Sequence, residues 1–212
     1  MIDMADKMRC ELISWPEVQR LCHRLAIMIR SSGYVPDVVV AISRGGYVPA
    51  RLICDYLDIM ALTSIRTEHY LSGSVKQAQV IIRDPLCADI KDLRVLLVDD
   101  VNDSGDTLEL VIKHLQTFHP REIRTAVMHR KTTTCFFEDY YARQIVKWRW
   151  LIYPWAVKED ISGFLQRLKP VPETMEQAQQ QLAEHFGLII SQQRIKDVYE
   201  FMKKSASGIG NI

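Results

Sequence analysis

The chain has 212 residues, 48% hydrophobic and 25% charged, enough apolar content for a sizeable core and too much for a disordered chain. Twenty-seven Lys and Arg against 26 Asp and Glu leave a formal charge of +1. No global field therefore draws the chain to nucleic acid or to an anionic membrane, and an anionic ligand must be held by local groups.

Residues 1–13 carry no periodic signal, and Met1-Ile2-Asp3-Met4-Ala5-Asp6 lacks the basic-then-apolar order of a signal peptide. Ser14-Trp15-Pro16-Glu17 then predicts a helix start, with Ser as N-cap, Pro in the first turn and Glu three residues after the cap. Val18, Leu21, Leu25, Met28 and Ile29 give that helix one apolar face, and it should end near Ser31-Ser32-Gly33. Val38–Ile42 reads as a buried strand, Pro49–Leu57 as a helix and Leu62–Thr67 as a strand. The pattern loosens between Thr67 and Lys91, where Ser72-Gly73-Ser74 reads as a turn and Val80–Ile82 as a short strand of a hairpin-like excursion. Arg94–Val98 is a second buried strand. Leu108, Val111, Leu115 and Phe118 mark a helix closed by His119-Pro120. Ile123–Met128 and Tyr140–Lys147 are further strands. After Pro170, the spacing of Met175, Ala178, Leu182 and Phe186, then of Ile195, Val198 and Met202, predicts two short helices broken near Gly187, with a frayed tail over Ser205–Ile212. Strands alternating with helices predict an α/β fold, a parallel twisted sheet flanked by helices. No apolar run reaches the ~18–20 residues of a membrane span. The five cysteines (Cys10, Cys22, Cys54, Cys87, Cys135) are scattered, without a C-x-x-C, and read as free thiols of the cytosol.

Chemistry concentrates in the run Val95-Leu96-Leu97-Val98-Asp99-Asp100-Val101-Asn102-Asp103-Ser104-Gly105-Asp106-Thr107. A buried strand enters two acids, then a small-residue turn, then a helix. The turn Asp103, Ser104, Gly105, Asp106, Thr107 offers backbone N–H groups and two hydroxyls at a helix N-terminus, which suits a phosphate. Asp99 and Asp100 repel phosphate but accept hydrogen bonds from sugar hydroxyls, or hold magnesium through water. An ordinary Asp-rich turn between strand and helix is the bland alternative. Apolar residues, two acids and a small-residue loop ending in Thr resemble the phosphoribosyl-pyrophosphate (PRPP) signature of type I phosphoribosyltransferases. Upstream by about 55 residues, Ser43, Arg44, Gly45 and Gly46 again follow a strand and precede a helix; the glycines let N–H groups approach an anion and Arg44 adds charge. They are similar to the family's pyrophosphate loop, which implies a non-proline cis peptide at Ser43–Arg44.

His129-Arg130-Lys131, and Trp148 through Trp155, look like the short xanthine-guanine and hypoxanthine enzymes of that family. That resemblance implies that Lys131 donates to a purine O6, that Trp150 stacks on the ring and that the Leu151 backbone meets the exocyclic edge. An ammonium at O6 rejects adenine, whose 6-amino group cannot accept its hydrogen bond. The bland alternatives are a solvated surface lysine and a core tryptophan. Asp103 stands where the family has its general acid/base near purine N7, and it also suits capping of the following helix. Thr67-Glu68-His69-Tyr70 opens what corresponds to the loop that closes over PRPP, with Lys76 as a candidate pyrophosphate contact. The resemblance further implies PRPP and a 6-oxopurine base as substrates, Mg2+ carried by PRPP as cofactor with no direct protein ligand assigned, purine salvage, and a homo-oligomer. Two departures stand out: Ala156 replaces an acid that some relatives use toward magnesium, with Glu159 and Asp160 only later, and the segment after Pro170 is longer than in the short enzymes.

The domain reading is an N-terminal helix contributing to a hood (residues 1–33), a phosphoribosyltransferase core (34–148), a hood and base-binding segment (149–169) and a helical extension (170–212). Leu182 through Leu188 faintly resembles the start of a helix-turn-helix, and regulators that sense PRPP or purine nucleotides share this fold, which makes a regulator the rival reading. Ile195 comes too late for that motif. From Val171 to Ser205 four basic residues face five acids, a poor footing on a phosphate backbone.

Overall fold

The computed structural model describes residues 8–70 and 79–207. In chain order its elements are β1 (Cys10–Leu12), α1 (Trp15–Ser31), β2 (Val38–Ser43), α2 (Tyr47–Leu57), β3 (Leu62–Tyr70), β4 (Gln79–Asp84), β5 (Arg94–Asn102), α3 (Asp106–Gln116), β6 (Glu122–Lys131), β7 (Tyr140–Ile145), β8 (Trp150–Ile152), α4 (Val157–Arg167), α5 (Met175–Phe186) and α6 (Gln192–Ser207). They divide into two compact units, one spanning Pro16–Trp148 and the other joining the residues up to Trp15 with those from Arg149 onward.

The larger unit holds a six-stranded sheet in the order β4-β3-β2-β5-β6-β7. All neighbours run parallel except the edge pair β3–β4, which is antiparallel. The loosened stretch after Thr67 is thus a two-stranded excursion, as its pattern suggests; its turn Ser72-Gly73-Ser74 and Lys76 lie outside the described residues. Val38, Val40, Ile42, Val95 and Leu97 share a core with Leu108, Val111 and Leu115 of α3. The alternate residues Val39, Ala41, Leu96 and Val98 are equally buried. Side chains alternate across a strand, so both faces of β2 and β5 are covered, which is why these strands read as unbroken apolar runs. From β2 the chain continues to β3 on one side, and from β5 to β6 on the other. Between β2 and β5 lies the switch point at which ligands of open α/β sheets bind, beyond the carboxyl ends of the strands.

In the smaller unit β1 and β8 pair in parallel, Cys10 opposite Trp150 and Leu12 opposite Ile152. Ile152 packs with Ile161, Phe164 and Leu165 of α4, Ala178 and Leu182 of α5, and Ile195 and Val198 of α6. The two C-terminal helices are therefore bound into a core of their own, with Gly187 between them in the left-handed region at φ 67°. Helix α6 includes Ser205–Ser207, which the sequence places in a frayed tail. Three elements escape the pattern reading: β1 and β8, each of three residues and too short for any periodicity, and α4, whose Ile161, Phe164 and Leu165 carry the helical spacing that would have disclosed it. Among the described residues no helix is long and apolar enough to cross a membrane, and all five cysteines are free.

Candidate active site

The carboxyl end of β2 runs into Ser43, whose side chain is buried and donates to the Ile65 carbonyl at 3.2 Å. The peptide between Ser43 and Arg44 is cis, as the resemblance implies. Backbone bonds then close the loop: Gly46 N–H donates to the Ile42 carbonyl at 2.8 Å and Tyr47 N–H to that of Arg44 at 3.3 Å. Helix α2 starts at once, with Gly46 as its N-cap. Both glycines are required by space. A Cβ on Gly45 would collide with the Asp100 carboxylate, and one on Gly46 with the carbonyls of Val98 and Ile42. The loop therefore lies flat against β5.

Strand β5 is longer than the apolar run predicts, because Asp99 through Asn102 remain in the ladder, Val101 opposite His129 and Asn102 opposite Arg130 of β6. Asp99 is buried and its Oδ1 accepts from the Asp100 N–H at 2.9 Å. Burial, with the Asp100 charge beside it, holds the Asp99 carboxyl well above the usual carboxylate range. The adjacent pair presents carboxyl oxygens of the kind that accept hydrogen bonds from ribose hydroxyls, or from the water shell of magnesium. Among the described residues no three of His, Cys, Asp and Glu converge into a metal cage. The carboxyl oxygens of Asp99 and Asp100 are hard oxygen ligands, of the chemistry that suits magnesium.

The turn proper is short: Asp103, Ser104 and Gly105, with α3 beginning at Asp106. Gly105 takes φ 100°, and a Cβ there would meet Phe136, so only glycine fits. Ser104 Oγ donates to Asp106 Oδ2 at 2.8 Å. Thr107 follows in the first turn of α3. The helix carries no side-chain N-cap, which corrects the capping role expected of Asp103. Its carboxylate is engaged elsewhere. Lys131 Nζ donates to Oδ2 at 2.5 Å, and Thr133 Oγ1 and Trp148 Nε1 donate to Oδ1 at 3.1 and 3.2 Å.

Lys131 is the last residue of β6 and its side chain is only 4% exposed, so it is no solvated surface lysine. Its ammonium also lies 4.5 Å from the centre of the Trp148 ring. Two residues earlier, burial and the charges of Arg143, Arg20 and Lys131 push the His129 imidazole down to about 3, which keeps it neutral.

The segment after β6 straps the turn in place. Cys135 N–H donates to the Ser104 carbonyl, and Thr133 Oγ1 reaches the Asp103 carbonyl as well. Beneath them Thr134 Oγ1 donates to Asn102 Oδ1 at 2.9 Å, while Asn102 Nδ2 donates to Glu138 Oε2 at 2.5 Å and to the Phe136 carbonyl at 3.0 Å. Thr133, Thr134, Glu138 and Trp148 are missed by the sequence reading. The run Lys131-Thr132-Thr133-Thr134 after a strand is the signal that could have drawn attention to them.

Trp150 and Leu151 belong to the smaller unit. Trp150 is no core residue: it is 40% exposed and its indole N–H donates to Asp160 Oδ1 at 3.0 Å. Burial pushes the Asp160 carboxyl up to about 6, against the Trp150 hydrogen bond, which lowers it. Leu151 is buried in β8. Tyr153 stacks on Trp155 with centroids 4.9 Å apart.

Comparison with known proteins agrees with this geometry. Residues 10–160 match the phosphoribosyl transferase domain. The chain is 32% identical over 149 residues to the xanthine-guanine phosphoribosyltransferase of Cereibacter sphaeroides, covering 68% of this chain and 84% of that one. It is 33% identical over 153 residues to the enzyme of that name from a Ruegeria species, covering 68% and 83%. Among solved structures, the purine phosphoribosyltransferase of Pyrococcus horikoshii matches with a TM-score of 0.62 at 34% identity, over 70% of this chain and 94% of that one. With the Ser43–Gly46 loop and the Asp103–Thr107 turn at neighbouring strand ends, and relatives of this kind over two thirds of its length, the chain belongs to the phosphoribosyltransferase family.

Proposed function

We propose that this phosphoribosyltransferase moves the 5-phosphoribosyl group of PRPP to N9 of a 6-oxopurine and releases pyrophosphate. The observation that carries the reading is the meeting of three strand ends: the Ser43–Gly46 loop against Asp100, the Asp103–Thr107 turn after β5, and the buried Lys131 of β6 on Asp103. The names of the relatives support a purine base.

Ser43, Arg44, Gly45 and Gly46 receive the pyrophosphate, Asp99 and Asp100 hold the ribose hydroxyls, and Ser104 through Thr107 cradle the 5′-phosphate at the N-terminus of α3. Purine N9 attacks C1′ as the bond to pyrophosphate breaks, and the Asp103 carboxylate takes the proton from N7. Lys131 meets O6 and thereby excludes adenine. The resemblance assigns base stacking to Trp150 and the exocyclic edge to the Leu151 backbone. Magnesium bound with PRPP would supply positive charge to the leaving pyrophosphate, and Asp99 and Asp100 would hold it through its waters. The protein works as a cytosolic homo-oligomer in purine salvage. Nothing in the comparisons supports the rival regulator.

The test is pyrophosphate release from PRPP and Mg2+ with hypoxanthine, guanine, xanthine, adenine, uracil and orotate in parallel. Turnover with one or more 6-oxopurines alone is the expected result. Turnover with adenine or a pyrimidine overturns the base assignment, and none with any base overturns the reaction.

A further inference from the structure

We propose that Thr133 and Trp148 are positioning residues for Asp103: they anchor its Oδ1, so that Oδ2 is the oxygen that takes the proton when a purine draws Lys131 away. This rests on the acid/base reading of Asp103 given above.

The carboxylate is divided between its partners. Oδ1 accepts from the Thr133 hydroxyl at 3.1 Å and from the Trp148 indole N–H at 3.2 Å, while Oδ2 accepts only from Lys131 in the bonds described, at 2.5 Å. Trp148 is 43% exposed, which is poor use of an indole for core packing, and the Thr133 bond is also exposed. Trp148 contributes a donor aimed at one oxygen, and the single Thr133 hydroxyl proton is shared between Oδ1 and the Asp103 backbone carbonyl, at 3.1 and 2.9 Å. Trp148 contributes a second contact as well, since its ring face lies 4.5 Å from the Lys131 ammonium. A single indole therefore bridges the acid and the cation that neutralises it, edge to one and face to the other.

A base that offers O6 to Lys131 competes directly with Asp103 Oδ2. As the ammonium turns to O6, its charge stays over the Trp148 ring and Oδ2 loses its partner. A carboxylate held only by Lys131 would then be free to rotate. With Oδ1 pinned by two neutral donors, its plane is kept and Oδ2 remains directed at the purine. The N7–H bond breaks and an Oδ2–H bond forms, while C1′–N9 forms and the C1′–oxygen bond to pyrophosphate breaks. The arrangement couples recognition of O6 to release of the base that the reaction needs.

Steady-state kinetics on the full chain test this. Trp148→Phe keeps a ring beneath Lys131 but removes the N–H, and Thr133→Val removes the hydroxyl at nearly constant volume. Each should lower kcat about tenfold, as loss of a hydrogen bond to a charged group does, while KM for PRPP and for the base stays within about twofold. Thr133→Ser should restore kcat, which a role in packing would not produce. Unchanged kcat in both variants, a rise in KM alone, or failure of Thr133→Ser to restore turnover would overturn the proposal while wild-type turnover leaves the reaction standing. Absence of wild-type turnover with every base would overturn the reaction reading and this role together.

Discussion

The loop after β2 is shaped by backbone bonds and two glycines, with the Ser43 hydroxyl on the Ile65 carbonyl beside them, whereas the turn after β5 is held by side chains that arrive from about 30 to 45 residues further along. In the first, Gly46 and Tyr47 donate to carbonyls within the loop, and two glycines let it lie against β5. In the second, Thr133, Thr134, Cys135 and Phe136 wrap the turn from behind, and Lys131, Thr133 and Trp148 fix its acid from the front. A loop that only has to present N–H groups to an anion needs a backbone shape, which glycine supplies locally. A turn that must also aim a carboxylate needs directional partners, and these come from elsewhere in the chain.

The sharpest test of that contrast is Asp103→Asn, which keeps the shape of the turn and removes its base. Turnover should fall by about 10²- to 10⁴-fold with PRPP affinity little changed, measured by pyrophosphate release beside equilibrium binding. Equal loss of both would mean that the two loops do the same work. Next comes Gly45→Ala, where the new methyl meets the Asp100 carboxylate. PRPP affinity should weaken by roughly 10- to 100-fold, the range expected of an overpacked site, and calorimetric titration reads it.

Stability separates the loops more gently. Thr134→Val leaves Asn102 Oδ1 without its donor, at a cost of about 1–3 kcal/mol, whereas Ser43→Ala removes one bond to a carbonyl, at about 0.5–1.5 kcal/mol. In a chain of this size each kcal/mol moves Tm by about 2–4 °C, so thermal melts should rank the two. An equal or reversed ranking would break the comparison. The last effect lies outside both loops and serves as their control. The Asp160 carboxyl titrates at about 6, above the ordinary 3.8, so the folded state holds that proton more tightly. Stability is therefore lost as pH rises from about 4 to 6, and Asp160→Asn should raise Tm relative to wild type above pH 6 but not below pH 4.

The same contrast explains what the sequence discloses. The sheet, its flanking helices and the turns after β2 and β5 announce themselves through β-branched runs, caps and glycines within a few residues. Lys131 and Asp103 are legible as candidates, but not as partners, because nothing in the spacing says that Lys131 stays inside the strand, buried, and turns to the acid. The bonds that Thr133 and Trp148 make to Asp103 are not legible, since a hydrogen bond across tens of residues leaves no spacing of its own. Strand β1 is invisible for another reason: three residues are held by pairing with β8, and local preference has no part in it.

The length of β5 constrains how such a site can change. Its ladder with β6 continues to Asn102, four residues past its last pairing with β2 at Val98, a ledge of roughly 13 Å at 3.3 Å per residue. Side chains on that ledge alternate in facing, so deleting one residue would turn Asp99 and everything after it to the opposite side. Deleting two would keep the facing and draw the acid turn inward by about 7 Å. Viable length variants of this crevice should therefore differ by even numbers of residues, a parity that the two-residue repeat of the strand imposes.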